Sequence, residues 1–312
     1  LKSHAFSSPY VLLVIATLCW GGNFVIARAV HADMPPMSLT FWRWVMACLL
    51  LFPLSGRALF AHRALVRRHF YVLLGLSLTG VAIFHSFVYI ALHTTTAVNA
   101  SLVLAVMPMV IPLFSYLING DRLSSRQIAG IGVSSIGILI IISRADWSVL
   151  TRLSFTPGDL WILGAVISWS IYSSLLKRLP REMPSLVMLQ TIMMIGIVLV
   201  FPFYLREVYL YGGFTPSPAN LAAIAYVAIF ASIVAFLSWN KAVHEVGANK
   251  AGLFIHLIPL FSAFLAILLL GERLQGYHFA GLPLILAGIY LTTRGMARGR
   301  ENIIPRSVPD ER

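Results

Sequence analysis

Apolar runs close to the length of a membrane span recur along this chain from Tyr10 onward, and they restrict its fold more than any other feature. As a helix, each run can cross roughly 30 Å of hydrocarbon at about 1.5 Å per residue. In lipid every backbone N–H and C=O must be satisfied within the protein, so only helices and closed barrels can span. Barrel strands are short and alternate apolar with polar residues. These runs do not alternate, and an all-α integral membrane fold follows. Composition agrees, since 59% hydrophobic and 11% charged residues with a mean hydropathy of +0.85 do not suit an ordinary water-facing surface.

The runs predict ten transmembrane helices at about 10–30, 38–55, 70–92, 97–118, 126–143, 159–177, 184–204, 219–241, 249–270 and 277–294. The connections are short, with a basic loop around Gly56 to His69 and a Gly-, Pro- and Tyr-rich loop around Leu205 to Pro218. No stretch can house a soluble catalytic domain. The first run follows the basic Lys2, but its length, with no small-x-small cleavage site ahead of a soluble domain, predicts a retained helix rather than a cleaved signal. Cys19 and Cys48 lie inside apolar runs without CxxC or metal-like spacing, so they are expected to be packing residues.

Basic residues are retained on the cytoplasmic side of a bilayer. With both termini in the cytoplasm, all but six of the 23 Lys and Arg fall on that side, the exceptions being Arg28, Arg43, Arg144, Arg152, Arg206 and Arg273. This asymmetry predicts the orientation. It also accounts for the net charge of +12 without a nucleic-acid partner. Contact of the basic tail with anionic lipid head groups is the expected remaining role for that charge.

One half of the sequence resembles the other. Gly120-Asp121-Arg122-Leu123 returns 151 residues later as Gly271-Glu272-Arg273-Leu274, and Pro108 with Pro259, Gly130 with Gly281, Gly137 with Gly288 and His93 with His244 keep the same spacing. Trp20 is matched by Trp169 at a spacing of 149. The expected units are residues 1–148 and 149–296, each of five helices, followed by a basic tail at 297–312. Five is odd, so the second unit must enter the membrane from the opposite side. Such inverted repeats can exchange conformations and open a central site to each side in turn, which is alternating access.

Trp20-Gly21-Gly22-Asn23-Phe24, Arg43, and Pro108 followed by Gly120-Asp121-Arg122-Leu123 resemble the EamA-type members of the drug/metabolite transporter superfamily. Trp169, Pro259 and Gly271-Glu272-Arg273-Leu274 repeat the pattern. The resemblance covers nearly the whole chain and is nearest to the YddG-like exporters of aromatic and other amino acids. It implies a bacterial inner-membrane carrier in which helices 1–4 and 6–9 surround a central cavity while helices 5 and 10 pack outside. Gly130, Ser134 and Gly137 on helix 5, with Gly281 and Gly288 on helix 10, permit close helix contact. That contact is expected within one chain, making a monomer, with dimerisation as the alternative.

The eleven acids are Asp33, Asp121, Asp146, Asp159, Glu182, Glu207, Glu245, Glu272, Glu301, Asp310 and Glu311, and all fall in loops, at helix ends or in the tail. Without a mid-membrane carboxylate to relay ions, facilitated diffusion is the leading mechanism. His85 and His256 are the deep titratable groups, read as hydrogen-bonding residues of the cavity wall rather than proton relays. Neither has metal-ligand spacing, so no metal and no cofactor is expected.

Polar and aromatic residues inside the helices are the expected substrate contacts. They are Trp20 and Asn23, then His85 and Tyr89 on one face with Ser86, Asn99 and Ser101 at the start of helix 4, Trp169, Tyr172 and Ser173 on one face, Trp239 beside Ser238 and Asn240, and His256. A largely aromatic cavity with few hydrogen-bonding groups suits an amphipathic small molecule such as an amino acid. Pro108 and Pro259 are expected to break helices 4 and 9 as paired hinges. Arg43, between Trp42 and Trp44, is read as snorkelling to the interface, with an inward orientation toward a substrate carboxylate as the alternative.

The competing function is a proton-coupled pump for drugs or toxic cations, which would need acidic residues in the cavity. An enzyme is not expected, because the chain has no GxSxG, no HExxH and no paired carboxylates within its helices.

Overall fold

The computed structural model describes residues 8–30, 33–95, 100, 103–152, 156–270 and 275–293. Within them the chain is helical and contains no strand. The long helices are α1 (Pro9–Val30), α2 (Pro36–Ala61), α3 (Phe70–Ala91), α4 (Met107–Asn119), α5 (Ser125–Ile142), α6 (Pro157–Arg178), α7 (Ser185–Tyr211) and α8 (Pro218–Val246). Two more follow, α9, made of Ala248–Leu253 and Leu257–Leu270 joined by a tighter turn at Phe254–His256, and α10 (Gly276–Thr293). Eight segments among the described residues are long and apolar enough to cross a membrane, while the apolar α4 covers only thirteen residues. This is a multi-pass membrane protein.

Helix starts follow local chemistry. Pro lies at the first turn of α2, α6 and α8, where its missing N–H has no intrahelical partner to lose. Ser124 and Gln127 form a capping box at α5. At α2 the cap is supplied from a distance, because the Glu207 carboxylate near the end of α7 accepts from Met37 N, Ser38 N and the Ser38 hydroxyl at 2.7–2.9 Å. The anion satisfies N–H groups that the first turn leaves free and faces the positive end of the helix dipole. Large apolar side chains such as Leu54, Phe60, Val198, Phe203 and Phe279 are exposed, as lipid-facing surface requires.

α2 and α7 run antiparallel. Glu207 meets the start of α2, while Gln190, near the start of α7, meets Cys48 and Ser55 further along. α4 and α9 do the same, with Ala105 against His256 and Ile111 against Gly252. So do α5 and α10, with Gly130 on Gly288 and Gly137 on Gly281. A Cβ built on Gly130 or Gly137 would fall 2.7 Å from the opposing glycine's carbonyl oxygen, so the two backbones touch where side chains would hold them apart.

α3 and α8 each change pitch midway, at Ser77–Ile83 and Val227–Val234, into wider i→i+5 turns. The two segments start 150 residues apart, so each half carries one at nearly the same place. A widened turn leaves carbonyls poorly paired within the helix. Here the opposite half supplies donors, since Trp20 Nε1 on α1 donates to Ala231 O at 3.1 Å and the Ser168 hydroxyl on α6 donates to Thr79 O at 2.7 Å.

The break just ahead of α4, at residues 105–106 between helical residues 103–104 and Met107, corresponds to the one within α9 at 254–256. The prolines lie just beyond them rather than at mid-helix as expected. Pro108 is the second residue of α4 and Pro259 the third of its helical piece. In the first turn a proline fixes φ without removing a hydrogen bond, so both prolines start a new helix segment.

Candidate aromatic core between the two halves

The rings predicted to meet substrate come together at the centre. Trp20 of α1 meets Trp169 of α6 edge to face at 5.0 Å and Trp239 of α8 at 5.3 Å, while Trp169 stacks on Tyr172 at 4.9 Å. Phe236 touches Trp20, Trp169 and Tyr172, and reaches Trp44 of α2 at 5.1 Å. His85 of α3 closes the group, between Trp44 at 5.3 Å and Phe84 at 5.0 Å. All these rings except that of Phe84 are buried. Aromatic rings carry large apolar area on stiff side chains, so this cluster is a packed plug against which five helices close.

Hydrogen bonds span the same layer. Tyr89 on α3 donates to Asn23 Oδ1 on α1 at 3.2 Å, and Tyr172 on α6 donates to Asn240 Oδ1 on α8 at 2.7 Å. Asn23 and Tyr172 are 149 residues apart, and Tyr89 and Asn240 are 151 apart, matching the spacings of the sequence repeat. Each half therefore ties its first helix to its third through one Tyr–Asn bond, with the two residue types exchanged.

Arg43 does not snorkel. Its side chain is 0% exposed, with Nη1 donating to the Tyr89 hydroxyl at 2.7 Å, Nε donating to the Ser232 hydroxyl at 3.0 Å, and Cζ 5.0 Å from the centre of the Trp44 ring. The expected route to the interface fails because the guanidinium finds neutral acceptors and an aromatic face inside the bundle.

His256 has both ring nitrogens engaged. Nε2 lies 2.9 Å from Ala105 O, so this nitrogen carries a proton, and Nδ1 lies 2.6 Å from the Ser134 hydroxyl. It joins the break in α9 to the break in α4 and to α5, and neither nitrogen is left to meet a solute. Ser173 is buried beside Tyr172, and its hydroxyl has no partner. Asn99 and Ser101 lie outside the described residues.

The EamA-like transporter family profile matches residues 7–143 and again residues 156–294. The chain belongs to the EamA-like transporter family. Its relatives include the uncharacterized transporter YyaM of Bacillus subtilis, 25% identical over 93% of this chain and 94% of that one. A probable amino-acid metabolite efflux pump of Escherichia coli is 26% identical over 92% of this chain and 95% of its own length, and a Salmonella typhimurium protein of the same description is 26% identical over 91% and 94%. A protein of known crystal structure superposes with a TM-score of 0.75 at 21% identity, over 92% of this chain and 97% of that one, which fixes the likeness of fold.

As an EamA-family transporter, the protein moves a small molecule. Among the described residues no three His, Cys, Asp or Glu side chains gather as a metal site would require. The predicted contacts at Trp20, Asn23, His85, Tyr89, Trp169, Tyr172 and Trp239 lie together in the central layer. Arg43, Ser232 and Phe236 belong with them and were not among the expected contacts. An arginine predicted between two tryptophans was the available signal for the first, whereas Ser232 and Phe236 stand in an apolar run with no local mark.

Proposed function

We propose that this protein exports neutral amino acids, aromatic ones among them, or closely related metabolites across the bacterial inner membrane, by alternating access and without ion coupling. Its body is ten spans in two inverted units, 1–148 and 149–296, with the 297–312 tail and both termini in the cytoplasm. The observation that carries the reading is the exchanged contact of α5 and α10. Gly130 meets Gly288 and Gly137 meets Gly281, while by sequence Gly130 corresponds to Gly281 and Gly137 to Gly288. Contacts that swap in this way between antiparallel helices are those of a two-fold axis across the helices, which in a membrane lies in its plane.

The aromatic plug draws rings from both halves, so tilting one half against the other opens it to one face at a time. Pro108 and Pro259, beside the matched helix breaks, serve as the hinges. Carboxylates among the described residues lie in loops or near helix ends, and the two buried ones are occupied at helix starts, Glu207 capping α2 and Asp159 accepting from Thr156 N at the start of α6. None of these described acids is placed to carry a proton through the plug, which favours uncoupled movement. The relatives described as amino-acid metabolite efflux pumps point to the same class of cargo.

The test is counterflow in liposomes carrying the purified full chain, preloaded with unlabelled L-phenylalanine, L-leucine or L-threonine and exposed to traces of the labelled solute. Accumulation that survives a protonophore and the absence of any ion gradient is expected. Strict dependence on a proton gradient would overturn the uncoupled mechanism, and failure to move any of these solutes would overturn the choice of cargo.

A further inference from the structure

A guanidinium inside a membrane protein is expensive and needs compensation. Arg43 receives it from neutral groups alone. The hydroxyls around it are arranged as acceptors toward the arginine, because Ser232 passes its own proton to Val227 O at 2.9 Å and Tyr89 passes its proton to Asn23. Nη2 is buried and has no hydrogen-bond partner. The salt bridge among the described residues, Lys177 with Asp121, is elsewhere and exposed.

Most of the other unpaired buried groups in this layer are donors too, while His85 Nδ1, on the ring packed against Trp44, and the Ser173 hydroxyl are neutral groups that can also accept. Trp44 Nε1, on the ring beneath the guanidinium, is buried without an acceptor, as are Trp239 Nε1 and Asn240 Nδ2 within the same layer. An unbalanced positive charge beside spare donors lacks an anion with several lone pairs. Arg pairs best with planar oxyanions through two parallel N–H···O bonds. The aromatic rings alongside would take an apolar body.

We propose that Arg43 is a binding residue for the carboxylate of the transported solute, with Nη2 as the free donor and Trp44 Nε1 as its neighbour. The proposal rests on the transport reading above for its cargo, and it names the group by which that cargo is recognised. It also sets the cargo's charge, since a solute must bring an anionic group and a simple cation is repelled.

The test uses the purified full chain and tryptophan fluorescence quenching by matched acid and amide pairs, namely L-phenylalanine with L-phenylalaninamide, 3-phenylpropionate with 3-phenylpropionamide, and L-leucine with L-leucinamide. At least one acid should act at about tenfold lower concentration than its amide, the scale of one charge-assisted bond in a dry site. Arg43→Gln should bring the pair together, and Arg43→Lys should keep part of the preference. Equal action of acid and amide in every pair overturns the proposal, as does a preference undiminished in Arg43→Gln. If neither variant elutes as a single folded species, the wild-type ratio decides. L-Phenylalanine and L-leucine that bind through Arg43 yet are not moved in the counterflow assay would sink the choice of cargo and leave Arg43 a carboxylate-binding residue for another solute.

Discussion

Trp20 and Trp169, which correspond to one another in the two halves of the chain, meet edge to face with ring centres 5.0 Å apart. A residue that touches its own counterpart must lie at the axis relating the two. Ala105 and His256, 151 residues apart, do the same through a 2.9 Å hydrogen bond. The two-fold axis of the inverted arrangement proposed above would therefore pass through the tryptophan plug and between the broken segments at Ala105 and His256. In the alternating access proposed above, movement of one half against the other would part these contacts, and they would then govern how easily the plug opens.

Replacing either tryptophan should then disturb the same step. Trp20→Phe and Trp169→Phe each remove part of an indole from a packed site and weaken edge-to-face contacts worth about 0.5–1.5 kcal/mol apiece, and Trp20→Phe also gives up the Nε1 bond to Ala231 O. Both variants should fold, with thermal midpoints in detergent a few degrees below wild type. Both should change the counterflow rate severalfold and in the same direction. A large effect from one with none from the other would remove the tryptophans from a shared axis.

Much of this was legible in the sequence, for a physical reason. Span-length apolar runs report the solvent, and paired Gly, Pro and Trp report positions where backbones approach, a helix restarts or halves touch. Gly130, Gly137, Gly281 and Gly288 were placed correctly because only a missing side chain allows that contact. The Tyr–Asn bonds were hidden because the halves match in position while residue types exchange. The widened turns of α3 and α8 have no local sequence mark, so Ser232 could not be seen and the inward direction of Arg43 stood only as the alternative. His256 makes hydrogen bonds as expected, but its partners were hidden for a similar reason, since Ala105 contributes a backbone oxygen freed by a break that sequence periodicity does not show.

The contact between α5 and α10 gives a direct stability comparison. At Gly288 an added Cβ would lie 2.5 Å from Gly130 O and 2.8 Å from Ser134 N, backbone atoms that cannot turn aside. Gly288→Ala should separate the helices and cost about 1–3 kcal/mol, the usual price of overpacking. Gly132 on the same helix as Gly130 faces open space. Gly132→Ala should leave stability unchanged or raise it by up to about 1 kcal/mol. Thermal unfolding of the two variants in one detergent measures the difference, and equal midpoints would contradict the close approach.

Glu207 offers a second comparison, because its charge and its shape can be separated. Glu207→Gln keeps one acceptor oxygen but loses the anion facing the start of α2, which should cost about 1–2 kcal/mol. Glu207→Ala removes every acceptor and leaves Met37 N and Ser38 N unpaired at a buried helix end, so it should cost more. The order wild type, Gln, Ala in thermal midpoint is the expected outcome. An alanine variant as stable as wild type would mean that the cap contributes nothing.

Pro108 separates a hinge from an ordinary helix start. As the second residue of α4 it gives up no intrahelical hydrogen bond, so Pro108→Ala should change stability by less than about 1 kcal/mol. What proline does supply is a bar to continuing a helix through residues 105–106, since it brings no N–H for Leu104 O, four residues back, and its ring crowds that carbonyl. With alanine there the break can close, and Ala105 O, which now accepts from His256, is drawn toward an intrahelical partner. Counterflow should slow in Pro108→Ala and in Pro259→Ala, and slow further in the double variant, with elution and thermal midpoint near wild type. Unchanged rates in a folded double variant would leave the prolines as helix starts only and would place the bending elsewhere, with the widened turns at Ser77–Ile83 and Val227–Val234 the next positions to alter.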